Sequence, residues 1–361
     1  MSSVARLRVL RQHLLLGGAG QPTEVAVPAP ARGPITLANG DSFERWERPW
    51  TTRPELEGRF GMVASSEHLA SAAGMRILEL GGNAFDAAVA TGAALWQTKP
   101  GSLSPGGEVA VVYYAAAGER QLMAVSGQGT MPAAATLEKY AELGIKHPQS
   151  MPGSGLLAAC VPGAFDAWML LLATRGTMRP RQVLEAFIDY CLEGVPVKED
   201  VHNSLGYMSQ RFVEQWPSSA EAFGLDAEGR PPPMGGLFKN KIMGAAFERL
   251  CSEAEQRAAE GMPAPVDAEA RRQAEIAAIR SVWSTGFVAE AVVAHCKSSF
   301  KNERATPPRM DSGLITMADM AGYAARVEPA LTYDYHGWTV GKCGPWSQGP
   351  VFLQQLALLK G

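Results

Sequence analysis

The sequence predicts an α/β protein, because amphipathic helices and short strands of β-branched and aromatic residues follow one another along the chain. Apolar residues recur at helical spacing from position 69 to 80, which is typical of a helix with one buried face. The run VAVVYY at Val109–Tyr114 is typical of a strand, and residues 121–125 predict a second strand after a short turn. These observations together predict a sheet packed against helices.

Two helices joined by a glycine break come first. The first helix is expected to bury a stripe of four residues: Leu69, Ala73, Ile77 and Leu80. Gly81 and Gly82 end this helix where a left-handed residue costs little. Asn83 then caps the second helix, and Asp86 completes a capping box. The second helix, residues 84–95, consists mainly of small residues, so its backbone can pack closely against a sheet.

The elements after the two strands are mostly helical. Thr136 is placed to cap a helix over residues 137–143, and the pattern from 238 to 300 is helical throughout. Within that stretch, residues 253–279 are dense in Ala, Glu, Gln and Arg, which predicts a solvated helical insertion. Pro350 suits the first position of a last helix over residues 351–359.

Composition and charge exclude several classes of protein. A net charge of −3 offers no basic surface, and no apolar run of membrane-spanning length is evident, so neither nucleic acid nor a membrane is an expected partner. Five widely spaced cysteines and six scattered histidines show neither a disulfide framework nor a metal-ligand spacing. We therefore expect reduced thiols in a cytoplasmic protein, and neither a metal nor an organic cofactor.

The helix pair resembles the opening of the γ-glutamyltranspeptidase family, in which a run GMVAS…GGNA.DAAVA leads into a glycine turn and the first strand. Further blocks follow in family order, among them VPG at 161–163, DSGLIT at 311–316 and EP at 328–329. The resemblance covers residues 58–361. Residues 1–57 are expected to form an N-terminal arm, which packs on a neighbouring subunit or domain, and a Pro/Gly-rich linker that connects the arm to the main body.

The resemblance implies an α/β/β/α sandwich of the N-terminal-nucleophile (Ntn) hydrolase class, completed by a small subunit. Family members cleave their own precursor, and the new N-terminal threonine of the small subunit supplies both the nucleophilic hydroxyl and, in its α-amine, the base. This chain corresponds to the large subunit, so no catalytic residue is expected in it. The expected partners are the small subunit from the same precursor and a small-molecule amide, in a higher oligomer of heterodimers.

The turn after the second strand departs from the family pattern. In γ-glutamyl enzymes an arginine in a D-G-R-E-x-A-P turn binds the substrate α-carboxylate, whereas here the run is SGQGTMP, with Gln128 after Gly127 in place of the arginine. A neutral amide forms no charge-assisted bidentate pair, so we expect weak binding of glutathione. The alternative is that Gln128 only caps the turn and another residue holds the carboxylate.

Two other loops are candidates for substrate binding. Trp346 and Ser347 stand in CGPWSQGP, where the family has MPPPSSGG. Trp346 either stacks on an aromatic or hydrophobic acyl group or fills a gap in the packing. Gly106 and Gly107 serve either close backbone packing or a ligand. Glu108 follows them and either favours an amine-bearing or cationic substrate or simply faces solvent.

Three functions stay open. The first is an autoprocessed amidohydrolase or acylase that cleaves an amide through an acyl-threonine intermediate and is not specific for glutathione. The second is a γ-glutamyl transferase or hydrolase with a relocated carboxylate-binding group. The third is an inactive homologue that acts as a binding or assembly subunit. The residue at the N-terminus of the small subunit separates the enzymes from the inactive homologue.

Overall fold

The computed structural model describes residues 56–118, 120–145, 155–260, 267–298, 300–302 and 309–360, and two short strands before them. The chain divides into two units, Met1–Glu57 and Gly58–Gly361. In the first unit, β1 (Ile35–Thr36) pairs antiparallel with β2 (Ser42–Phe43). The expected packing of an N-terminal arm on a neighbour lies outside the described residues.

The described part of the second unit is rich in helices. The helices are α1 (His68–Glu79), α2 (Ala84–Thr98), α3 (Leu137–Glu142), α4 (Ala164–Arg175), α5 (Pro180–Glu193), α6 (Glu199–Gln215), α7 (Pro217–Ala222), α8 (Lys241–Glu260), α9 (Ala268–Thr285), α10 (Phe287–Cys296), α11 (Met317–Gly322) and α12 (Gly349–Leu359). The strands are β3 (Val109–Tyr114), β4 (Leu122–Gly127), β5 (Val195–Pro196), β6 (Leu237–Phe238), β7 (Phe300–Asn302), β8 (Arg309–Asp311), β9 (Arg326–Pro329), β10 (Leu331–Tyr335) and β11 (Trp338–Lys342).

The α1–α2 pair forms as the sequence predicts, with one exception. Asn83 Oδ1 accepts hydrogen bonds from the backbone N–H of Phe85 and Asp86, and the Asp86 carboxylate accepts from the Asn83 N–H at 2.8 Å, so the capping box is confirmed. Gly81 adopts the left-handed conformation, with φ of 93°. Leu80, however, follows the end of α1 and is 51% exposed, so its assignment to the buried stripe was wrong.

Three antiparallel strands, in the order β3-β4-β9, form the sheet that positions the site. Val125 in the central strand faces Val111 on one side and Val327 on the other. These three residues belong to the inner face, which packs into the core. On the opposite, outer face, Val112 is 40% exposed and Tyr114 is 53% exposed. Helices therefore cover the inner face of the sheet, whereas the apolar side chains of Val112 and Tyr114 on the outer face are exposed to solvent.

The main core lies between this inner face and helices α2, α4, α5, α8 and α9. Its centre is an aromatic cluster in which Phe165 stacks on Trp283 with ring centroids 4.4 Å apart, while Phe187 meets Phe247 edge-on at 4.8 Å. The expectation of a solvated insertion over 253–279 holds only for the outer sides of α8 and α9. Their inner sides are buried in this core, with Ala254 and Ile279 as examples.

One helical stretch in the described part of the chain, Ala268–Cys296, is long and apolar enough to cross a membrane by length and composition alone. The sequence alone predicted no apolar run of that length, so this stretch differs from the expectation. Because Val282 and Trp283 of this stretch pack in the core, its apolar composition has an ordinary structural explanation, and the indication is weak.

Candidate functional site

Two glycines fix the turn that follows β4. A Cβ atom added at Gly127 would lie 2.6 Å from the Ala167 side chain, and one added at Gly129 would lie 2.0 Å from the carbonyl oxygen of Val161. Neither position can hold a side chain without moving its neighbours, so both glycines allow the turn to lie directly on the beginning of α4. The residue between them, Gln128, is thereby placed at the end of the sheet.

The loop before β3 is fixed at the same place. The carbonyl oxygen of Gly107 accepts hydrogen bonds from the N–H groups of Gly163 and Ala164, at 3.2 and 2.9 Å. These N–H groups lie at the start of α4, where backbone donors have no partner within the helix. The N–H of Gly107 donates to the Ser104 carbonyl at 3.2 Å. The main chain of Gly107 thus joins this loop to α4, and Gly107 also lines the cavity described below, so both of its expected roles stay open. At Gly106 an added Cβ would have only the Ser104 hydroxyl nearby, at 3.9 Å, so packing does not require glycine there.

Glu108 and Gln128, which are 20 positions apart, meet at this end of the sheet. Val109 pairs with Gly127 in the β3–β4 register, so the residues just outside the pair are neighbours. Gln128 Nε2 donates a hydrogen bond to Glu108 Oε2. Glu108 is exposed and Gln128 is half-buried. The structure thus joins two of the residues predicted for substrate binding, and the Gln128 amide is turned toward a carboxylate of the protein.

A cavity of about 310 Å³ opens beside Glu108, between the end of α2, the loop before β3 and the start of α4. The residues that line it are mainly apolar and include Trp96 and Trp168. The rim is polar, with Ser102, Ser104 and Glu108. Such a volume is at the small end of the range of about 300–1,000 Å³ that is usual for ligand pockets.

The structure places Trp346 and Ser347 elsewhere. Trp346 is half-buried, and its Nε1–H donates to Glu328 Oε1 on β9 at 2.5 Å. Ser347 Oγ donates to the Gly344 carbonyl at 2.9 Å and accepts from the Gly349 N–H at 3.0 Å, so it fixes the start of α12. Neither residue lines the cavity beside Glu108. Stacking of Trp346 on a substrate stays a prediction.

Sequence reasoning missed the residues that hold the start of α4. Asp166 accepts two hydrogen bonds from Arg280, at 2.6 and 3.0 Å, and one from the Ala325 N–H at 2.8 Å. Tyr323 lies close by, and its hydroxyl would be 2.5 Å from a Cβ at Gly163. Burial, together with the charge of Asp166, raises the pKa of Tyr323 to about 12. Arg280 and Ala325 are 114 and 159 positions from Asp166, so no local sequence pattern predicts these contacts.

The described residues hold no group of three or more His, Cys, Asp or Glu side chains that could bind a metal ion. All five cysteines are free thiols, and Cys160 is the exposed one. Burial raises the pKa of Cys191 and Cys251 to about 12 each, so these two thiols are neutral. The described residues at the end of the sheet thus present a carboxylate, an amide and an apolar cavity side by side.

A comparison with protein families decides the relationship. Residues 70–361 match the family model described as Gamma-glutamyltranspeptidase. The chain belongs to the γ-glutamyltranspeptidase family. The resemblance that the helix pair predicted is therefore confirmed.

Three similar proteins show the range of this family. A solved structure described as "Structure of LmbA2991HD" is 42% identical, with a TM-score of 0.76, over 86% of this chain and 50% of that one. The crystal structure of cephalosporin acylase from Bacillus halodurans is 25% identical, with a TM-score of 0.68, over 88% and 52%. The "Glutathione hydrolase-like YwrD proenzyme" of Bacillus subtilis is 26% identical over 83% and 48%.

The likeness to these structures confirms the predicted α/β fold of the Ntn-hydrolase class. The chain spans about half the length of the curated relatives that it matches. The family includes proenzymes and acylases, so the γ-glutamyltranspeptidase fold carries more than one kind of amide chemistry.

Proposed function

We propose that this chain is the large-subunit part of an autoprocessed amidohydrolase or acylase that is not specific for glutathione. One observation carries the proposal. The position that holds the carboxylate-binding arginine in γ-glutamyl enzymes is occupied by Gln128, and its amide is bound to the carboxylate of Glu108. A substrate carboxylate placed here would meet a negative charge instead of a guanidinium.

The energetic consequence favours substrates without a free α-amino acid head. A hydrogen bond to a charged group contributes about 1.5–3 kcal/mol, which is the order of magnitude lost with the arginine. The negative charge of Glu108 adds repulsion, which solvent screens because Glu108 is exposed. Both effects oppose the binding of a γ-glutamyl group in the orientation used by γ-glutamyl enzymes.

The proposed mechanism uses a threonine at the new N-terminus of a companion fragment from the same precursor. Its hydroxyl attacks the amide carbonyl while its α-amine takes the hydroxyl proton. The C–N bond then breaks as the α-ammonium gives this proton to the departing amine, and water hydrolyses the acyl-threonine ester to release the acid and the free threonine. The open apolar side chains of the outer sheet face, Val112 and Tyr114, support such a fragment, because a second sheet that packs on this face would bury them.

A second candidate function is a γ-glutamyl transferase or hydrolase whose carboxylate-binding group has moved. One residue specifically favours it. Arg326 begins β9 directly opposite Ser126, two residues before Gln128, and it is exposed. Within the described residues it forms no ion pair with a carboxylate. Its guanidinium is therefore the candidate for a relocated carboxylate-binding group.

Turnover of two anilides by the whole, processed protein tests the proposal. We expect hydrolysis of an aromatic acyl anilide and little hydrolysis of a γ-glutamyl anilide, with no inactivation by a glutamine-like affinity label. The contrary result would be γ-glutamyl activity that the label abolishes and that Arg326→Gln weakens, and it would establish the second candidate. Arg59→Gln, which changes an exposed arginine before α1, is the control and should not weaken that activity. A companion fragment that begins with a residue other than Thr, Ser or Cys would indicate the inactive homologue.

A further inference from the structure

Among the described residues that line the 310 Å³ cavity, Glu108 is the one with a charged side chain. Leu95, Trp96 and Trp168 make the wall apolar, and none of the described residues that line the cavity carries a positive charge. A negative group at the rim of an apolar cavity is the arrangement that attracts a cation carried next to an apolar group.

The hydrogen bond from Gln128 fixes the orientation of this carboxylate without neutralising it. It occupies Glu108 Oε2. An ionised carboxylate has about four acceptor sites, so further donors can bind. Among the described residues no lysine, arginine or histidine forms an ion pair with Glu108. Gln128 therefore acts here as a support for Glu108 and not as a ligand for a substrate carboxylate.

The cavity itself is built for a flat apolar group. A Cβ added at Gly92 would lie 2.7 Å from the ring of Trp168, so the absence of a side chain at position 92 lets this ring lie against α2. The ring of Trp96 packs edge-on against the ring of Phe187, with ring centroids 5.4 Å apart. The walls are thus set by packing, and an aromatic ring between them would gain both apolar burial and ring contacts.

We propose that Glu108, supported by Gln128, selects substrates that carry a protonated amine beside an aromatic or other apolar group, and that the apolar group enters the cavity. The inference rests on the proposed amidohydrolase function and names its substrate class. It makes Glu108 a specificity-determining residue that binds the amine, and Gln128 a positioning residue that acts through Glu108.

A matched pair of substrates isolates the charge. The anilides of phenylglycine and of phenylacetic acid have the same ring and the same scissile amide, and only the first carries an amine. In the whole, processed protein we expect a higher kcat/KM for the phenylglycine anilide. Glu108→Gln should lower that value about tenfold, the order of one partly screened charge interaction, and leave the phenylacetic anilide unchanged. Glu221→Gln, an exposed glutamate on α7, is the control and should change neither value.

Gln128→Arg gives a second, independent arm. The new guanidinium would pair with Glu108 and neutralise it, so the preference for the amine should disappear although Glu108 is still present. Equal losses for both anilides in Glu108→Gln would overturn the inference, because they would mean a structural role. If the ratio of the two kcat/KM values in Gln128→Arg equalled that of the unaltered protein, the inference would be overturned as well.

Binding without turnover separates this inference from the proposed function. Calorimetry gives the dissociation constants of phenylglycinamide and phenylacetamide. Their difference reports the contribution of the amine at the cavity rim. If neither anilide is hydrolysed but phenylglycinamide still binds more tightly, and Glu108→Gln abolishes the difference, the proposed function fails and the inference stands. Equal binding of the two amides by the unaltered protein would contradict the inference whatever the protein hydrolyses.

Discussion

At the level of single residues, the candidate site depends on the hydrogen bond that Gln128 donates to Glu108 at the end of the sheet. The replacement of the arginine is visible in the sequence, and so is a carboxylate before β3. That the two side chains bind each other is not, because the contact depends on the pairing of Val109 with Gly127 across the hairpin. Trp346 lies in the turn before α12 and its partner Glu328 lies on β9, 18 positions earlier, so the sequence left the role of Trp346 open.

The cysteines give a prediction at this scale. Burial raises the pKa of Cys191 and Cys251 to about 12, so at pH 8 both thiols are protonated as well as inaccessible. We expect a maleimide to label Cys160 in the folded protein and to leave those two unmodified, as located by peptide mapping. Labelling in denaturant, which should reach all five cysteines of this chain, is the control. Labelling of Cys251 as fast as Cys160 would contradict the described burial.

At the scale of the elements, the α1–α2 pair was predictable because its signals are local. The cap Asn83, the partner Asp86 and the left-handed Gly81 all lie within six positions. The burial of the region 253–279 was not predicted, because it depends on contacts with residues that are distant in the sequence. Its charge density predicted a solvated surface, but the buried Glu275 is paired with Arg179, 96 positions earlier, at 2.6 Å. Such pairing lets a charged helix face the core.

Asp86 supplies the prediction for this scale. Its fully buried carboxylate accepts from the N–H groups of Asn83, Thr177 and Met178 and from the Thr177 hydroxyl, so it joins the start of α2 to the segment before α5. Asp86→Ala leaves several buried donors without partners. We expect the free energy of unfolding to fall by about 3 kcal/mol or more, measured by urea denaturation.

The matched control for that experiment is Asp267→Ala. Asp267 also caps a helix, α9, but it is exposed and accepts one hydrogen bond, from the Ala270 N–H at 2.9 Å. Its loss should cost about 1 kcal/mol. Equal effects of the two substitutions would show that the buried contacts of Asp86 add nothing beyond an ordinary cap.

At the scale of the whole molecule, the order of the family blocks along the chain predicted the α/β fold of the Ntn-hydrolase class. The inner face of the three-stranded sheet packs against the helical core, whereas apolar residues of its outer face such as Tyr114 are exposed in the described part of the chain. The account therefore depends on a companion fragment that covers this face and carries the nucleophile.

The most direct test of that claim is the intact mass of the whole protein, expressed from its precursor, together with the N-terminal sequence of each fragment. The account predicts two fragments, the second beginning with threonine, and conversion of that threonine to alanine should leave the precursor uncleaved. A single uncleaved polypeptide that hydrolyses amides, or a second fragment that begins with a residue lacking a nucleophilic side chain, would contradict it.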